Sequence, residues 1–180
     1  MITRLGQLGS KIDELLNTHN DMIIHTGSYM GEKKSIDDPT RYLKNIQNTF
    51  NYLEQARTEN KKFVYISTWD TCPSPYTNSK RACEKMIQEW HGIYGVKYLI
   101  IQIPSIIGKG VVNKFLDAKE EVKIDNRELI FLTLDEVAVR VVDAIKTKFN
   151  ETTVLYGRKI EVQLLYDLIK YFKNYKGQNG

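Results

Sequence analysis

The chain has 180 residues, a net charge of +4 and an apolar fraction of 42%, the profile of one soluble globular domain long enough to bury a core. Two cysteines, Cys72 and Cys83, and three scattered histidines speak against a disulfide framework or a zinc-ligand pattern. No apolar run is long enough to span a bilayer, no signal peptide is legible, and Lys and Arg are spread rather than gathered into a patch, so the expectation is a cytoplasmic protein that binds neither membrane nor nucleic acid.

Residues 9–18 place Ile12, Leu15 and Leu16 on one face and predict a helix with Ser10 as its N-cap. Residues 21–26 (DMIIHT) predict a short buried strand. A long helix is expected over 39–58, opening at Pro39, with an apolar stripe of Tyr42, Leu43, Ile46, Phe50 and Leu53. Residues 62–67 (KFVYIS) are β-branched and aromatic, hence a strand. After a turn with Pro73 and Pro75, a helix is expected over 76–94, ending near Gly95. A strand over 97–103 stops at Pro104. A helix over 134–149 has Asp135 and Glu136 at its positive end, and a short strand at 153–156 and a helix at 161–175 follow. This alternation is the pattern of an α/β domain with a parallel sheet. Ligands of such sheets bind beyond the carboxyl ends of the strands, which directs attention to the residues after Thr26, Ser67 and Ile103.

Ser67 and Thr68 close the second of these strands, and Tyr76 and Lys80 follow at a spacing of four, which places them on one face of a helix. An ammonium there favours the phenolate and draws the tyrosine pKa toward neutrality. Such a tyrosine can exchange a proton with a substrate hydroxyl or carbonyl while a cofactor takes or gives hydride. A hydroxyl such as that of Thr68 can hold the substrate oxygen. The same spacing recurs at Tyr29/Lys33 and Tyr166/Lys170, read as solvated faces; position singles out Tyr76. On the local pattern alone, a tyrosine packed under the loop and a lysine facing water is the plainer reading.

The order of several segments widens the argument. DMIIHTGSYM resembles a strand and small-residue loop written D-V-V-I-H-x-A-A, and DPTRYLKNIQNTFNYLEQAR resembles D-P-x-x-Y-x-x-x-N-x-x-G-T-x-N-L-L-E-A-A. KKFVYISTWD, SPYTNSKRACEK, IPSIIGKG and FLTLDEVAVRVVDAI follow in the order of the extended short-chain dehydrogenase/reductases, the NAD-dependent epimerase/dehydratase group. The chain resembles that family over roughly residues 10–173. The resemblance implies a partial Rossmann-like parallel sheet flanked by helices, lacking most of the first mononucleotide-binding half. It implies a catalytic set of Tyr76, Lys80, Thr68 and Asn45, the last supporting the lysine through a water. Cofactor contacts are implied for Thr26, Gly27, Ser28, Ser67, Lys80, Pro104, Ser105 and Ile106, with NAD or NADP as cofactor and a nucleotide sugar as substrate.

The chain departs from that pattern before Asp21. The family opens with a strand, a Gly-x-x-Gly-x-x-Gly turn and a helix that binds pyrophosphate, and an acidic residue after the next strand holds the adenosine ribose. Residues 1–20 are read as the family's third strand and helix. The alternative is that Gly6-Gln7-Leu8-Gly9 is the end of the glycine turn, with Thr3 where the first Gly belongs and the middle of the unit deleted. Further departures are the short Thr68–Tyr76 connection, the short segment 111–132, Gln102 in place of Arg and Lys109 in place of Pro. The strand at 21–26 is expected to be a sheet edge covered by residues 1–8, by a second copy or by a partner chain. Three functions fit: an oxidoreductase, epimerase or dehydratase; a non-catalytic relative acting as an interaction module; and half of a split enzyme.

Overall fold

Ile23, Ile24, Phe63, Val64, Leu99 and Ile100 are all fully buried. Neighbouring residues of a strand point to opposite faces, so these strands are covered on both sides, as a parallel sheet between helices requires. The computed structural model describes residues 1–3, 6–17, 20–29, 38–107 and 128–178. Residues 30–37, with Lys33, and residues 108–127, with Lys109, lie outside the described residues.

The elements run β1 (Ile2–Thr3), α1 (Gln7–Leu16), β2 (Met22–His25), α2 (Thr40–Thr58), β3 (Lys62–Thr68), α3 (Pro75–Tyr94), β4 (Tyr98–Ile103), β5 (Ser105–Ile107) and β6 (Glu128–Thr133). There follow α4 (Leu134–Thr147), β7 (Glu151–Val154), β8 (Arg158–Glu161) and α5 (Val162–Gln178). The described chain divides into two compact units. The first comprises Met1–Ile103 with Asp135–Leu155, and the second Pro104–Leu134 with Tyr156–Gly180.

The first unit holds the expected sheet, all parallel, in the order β1-β2-β3-β4-β7. Its register sets His25 beside Tyr65 and Thr68 beside Ile103, so the chain ends that follow β2, β3 and β4 emerge together. Phe63 and Tyr65 of β3 pack with Leu53 and Ala56 of α2 and with Cys83 and Ile87 of α3.

Residues 1–3 cover the edge of β2, one of the covers expected for it. Ile2 pairs with Ile24 and Thr3 with His25, in parallel. The Thr3 hydroxyl meets His25 Nδ1 at 2.6 Å, and the terminal ammonium donates to the Met22 carbonyl at 2.8 Å. In the order 3-2-1-4-5-6 the strand beside the fourth is the first. With β2 as the fourth strand of the family pattern, β1 stands in the first strand's place. Gly6 is the N-cap of α1 and Gly9 is buried within it, the places that the alternative reading of residues 1–20 gives to the end of the glycine turn. The shortening falls between α1 and β2, where residues 17–21 make the whole connection. Ser10 is not the cap of α1: Gly6 is, and the Ser10 amide donates to the Gly6 carbonyl at 2.9 Å.

The stripe assigned to α2 also changes. Its buried residues are Arg41, Asn45, Thr49, Leu53 and Ala56, whereas Leu43 is 71% exposed and Tyr42 and Phe50 are exposed as well. In this polar row Asn45 turns inward to hydrogen-bond partners at the end of the sheet, described below, and Arg41 turns to the ring of Tyr76. At α3, Ser74 and Thr77 form a capping box, Pro75 occupies the first turn, and Gly95 closes the helix with φ of 70°.

The second unit contains a sheet with the order β5-β6-β8, in which β5 and β6 are parallel and β8 is antiparallel. Short, half-exposed strands of this kind give little periodic signal: β5 and β6 were not expected from sequence, and β8 falls in the segment LYGRKIEVQLLYDLIKYF, which resembles the family's C-terminal strand and helix. No helix among the described residues is long and apolar enough to cross a membrane.

Candidate active site

Tyr76 sits in the first turn of α3, held there by the capping box at Ser74 and Thr77. Its carbonyl accepts from the Ser79 hydroxyl at 2.7 Å, and Ser79 accepts in turn from Asn45 Nδ2 at 3.2 Å. Asn45 Oδ1 accepts the Tyr29 amide at 2.6 Å. Asn45 thus joins three pieces of chain: the loop after β2, the buried face of α2 and the start of α3. Among the described residues it makes no direct hydrogen bond to Lys80, the residue it was expected to support.

Lys80 is 2% exposed and donates from Nζ to the Ile66 carbonyl at 2.7 Å. Its ammonium lies 4.6 Å from the centre of the Tyr65 ring and 6.0 Å from that of Tyr76. Burial lowers its pKa to about 8, against the pull of Cys83 and Glu84. The Tyr76 phenol is pushed up rather than drawn toward neutrality, because burial outweighs the attraction of Arg41 and a hydrogen bond with Ser28. The expectation of a lowered tyrosine took the ammonium's field into account but not the loss of water around the ring.

Thr68 ends β3, half-buried, and its Oγ1 accepts the Asp70 amide at 3.1 Å, which leaves the hydroxyl proton to donate elsewhere. Asp70 accepts the Cys72 amide at 2.9 Å and is a turn residue. Thr26 donates to the Thr3 carbonyl at 3.0 Å, closing β1 onto β2, and Gly27 and Ser28 continue from it. The Ser67 hydroxyl, in contrast, is committed to Glu84. Any contact of Ser67 with a cofactor falls to its main chain. Pro104, Ser105 and Ile106 belong to the second unit, where Pro104 is buried and Ser105 exposed.

Two residues here escaped the sequence reading. Arg41 is 3% exposed, with its guanidinium carbon 5.5 Å from the Tyr76 ring centre. Glu84 collects Ser67, Arg81 and Gln102. Both were findable by spacing, since Arg41 lies four residues before Asn45 and Glu84 four after Lys80.

Residues 7–123 of the 180 match the model of the NAD dependent epimerase/dehydratase family. The chain belongs to that family. It is 27% identical over 199 residues to an uncharacterized protein of Methanocaldococcus jannaschii, covering 93% of this chain and 61% of that relative. A UDP-glucose 4-epimerase of Thermotoga maritima, solved with UDP-glucose, superposes with a TM-score of 0.74 at 21% identity, over 92% of this chain and 65% of the other. A UDP-glucose 4-epimerase of Thermus thermophilus, solved with NAD, gives 0.67 at 16% identity, over 91% and 65%. At these identities the solved structures establish the fold. The chain spans less than two thirds of the length of each.

Proposed function

We propose that this chain is an NAD(P)-dependent epimerase-, dehydratase- or 4-keto-reductase-type catalyst that acts on a nucleotide sugar in the cytoplasm. The observation that carries the reading is the Lys80 ammonium, 6.0 Å from the centre of the Tyr76 ring and bonded to Ile66 of β3, the strand that ends at Thr68 on the side where a parallel sheet takes its ligands. Tyr76 is the group that passes a proton to or from the sugar oxygen. Thr68 donates its remaining proton to that oxygen. Asn45 fixes the backbone of the tyrosine through Ser79.

The residues fit the dinucleotide at one end better than the other. Lys80 uses one of its three protons on Ile66 and keeps two for a nicotinamide ribose. Thr26, Gly27 and Ser28 run alongside, and Pro104, Ser105 and Ile106 are assigned to the nicotinamide by resemblance. At Gly6, the N-cap of α1, an added side chain would meet nothing within 4 Å, which leaves room for a phosphate at a helix N-terminus. The strand that would carry an adenosine-binding acid is absent among the described residues between α1 and β2. A bound dinucleotide would supply hydride transfer, taken and returned in an epimerase or dehydratase and given up in a reductase.

Calorimetric titration with NADH and NADPH tests the reading, with Tyr76→Phe and Lys80→Ala as controls. Micromolar binding, weakened by Lys80→Ala, is the expected result. No heat at millimolar cofactor would sink it. The edge position of β1 in the sheet favours one second reading, in which a second copy or a partner chain extends the sheet there and completes the site. Sedimentation that finds a monomer together with full cofactor binding would remove that reading.

A further inference from the structure

We propose that Arg41, on α2, is the cation that sets the ionisation of Tyr76, with Lys80 the weaker influence. The inference rests on the reading of Tyr76 as the proton-transfer group. The Arg41 guanidinium carbon lies 5.5 Å from the centre of the Tyr76 ring, and the residue is 3% exposed, so its field reaches the phenol through protein rather than through water. The Lys80 ammonium is farther from that ring, at 6.0 Å, and is engaged elsewhere: it donates to Ile66 and sits 4.6 Å over Tyr65.

The two cations also differ in permanence. Lys80 is held at about 8 by burial, so near that pH about half of it is neutral. An arginine keeps its charge throughout the range in which a protein is folded. Among the described residues, Asp70, from the β3–α3 connection, opposes ionisation of the Tyr76 phenol, Ser28, after β2, hydrogen-bonds it, and the phenol of Tyr65 on β3 interacts with it. Arg41 is the leading attraction that favours the phenolate, second in weight only to the burial that opposes it.

The local cause lies in α2. Arg41 and Asn45 are four residues apart on its buried face, so one helix brings a permanent charge to the ring of Tyr76 and a hydrogen bond to the residue that holds its backbone. Arg41 acts through Tyr76 and is a positioning residue.

The test replaces Tyr76 with 3,5-difluorotyrosine, which ionises at a pH where the protein stays folded. The phenol is followed by fluorine NMR, without cofactor, in the otherwise unchanged chain and in Arg41→Gln, Arg41→Lys and Lys80→Met. Arg41→Gln is expected to raise the midpoint by on the order of one pH unit, the effect of removing one close opposite charge. Arg41→Lys restores most of that shift, and Lys80→Met moves the midpoint less than Arg41→Gln does. An unmoved midpoint in folded Arg41→Gln, or a larger shift in Lys80→Met, overturns the inference. If Arg41→Gln does not fold, Lys80→Met decides: a rise of about one pH unit or more overturns the inference and a smaller one supports it. The titration needs no cofactor, so a chain that proves inactive leaves its outcome intact.

Discussion

The side-chain amide of Gln102 donates to Glu84 Oε2 at 3.1 Å, tying the end of β4 to α3. The other carboxylate oxygen accepts from Arg81 at 2.7 Å and from the Ser67 hydroxyl. Position 102 holds an arginine in the family pattern. Here the positive charge comes from α3 itself, and Gln102 supplies the remaining hydrogen bond. Arg81 also donates to the Thr68 carbonyl at 2.9 Å, so the same network holds the residue assigned to the substrate oxygen.

Removing the carboxylate should therefore loosen the end of β3. The Glu84 side chain is 12% exposed, and Glu84→Ala strands the Ser67 and Gln102 donors in a half-dry site. A loss of about 2 kcal/mol is expected in urea unfolding. A loss below about 0.5 kcal/mol, the scale of an ordinary surface change, would show that the network contributes nothing net.

Lys80 makes stability depend on pH. Its pKa is about 8 in the folded chain against the ordinary 10.5. Between these values the unfolded chain binds the proton more than the folded chain does, so the Lys80 contribution makes stability rise with pH across that window. Below about 8 its cost is complete. Cys83 and Tyr65, both raised by burial, act in the opposite sense above their ordinary ranges. The comparison of Lys80→Met with the unchanged chain isolates the lysine. The difference should favour the variant most below about pH 8 and decline as the pH rises. Unfolding curves that keep a constant offset from neutral to alkaline pH would contradict the assignment.

Asn45→Ala should cost about 2 kcal/mol, because it leaves the Tyr29 amide without its acceptor and removes the donor to Ser79, whose hydroxyl keeps its bond to the Tyr76 carbonyl. The change has a local signature. Hydrogen exchange at the Tyr29 amide should quicken, while exchange in the middle of β3 follows only the global loss. Unchanged protection at Tyr29 would mean that the loop after β2 is held by something else.

Gly157 precedes β8, and a Cβ there would run into the carbonyl of Phe131 on β6. Phe131 pairs with Arg158, so the obstacle is backbone in a paired strand and cannot swing away. Gly157→Ala is expected to destabilise the second unit by about 1–3 kcal/mol, the usual cost of overpacking. Thermal melting and exchange of the β6 and β8 amides would register it, and a neutral substitution would place the glycine in a looser turn.

Much of the site was legible from spacing. Tyr76 and Lys80 share a helix face whatever the helix packs on, and the strand before them ends where Ser67 and Thr68 predict. The same local reasoning misjudged α2, since a stripe of Tyr42, Leu43 and Phe50 and a row of Arg41, Asn45 and Thr49 are equally regular. Contacts at the end of the sheet, of Asn45 with Tyr29 and Ser79 and of Arg41 with the Tyr76 ring, select the polar row.

Sequence alone determined the class of the sheet, the family and the helix that carries Tyr76, because hydrophobic period and motif order are properties of neighbouring residues. The tertiary structure decided three other things: that residues 1–3 pair with β2, that Arg41 meets the tyrosine, and that burial pushes the phenol up and the ammonium down. Each depends on groups far apart in the chain and on how much water they lose when the fold brings them together.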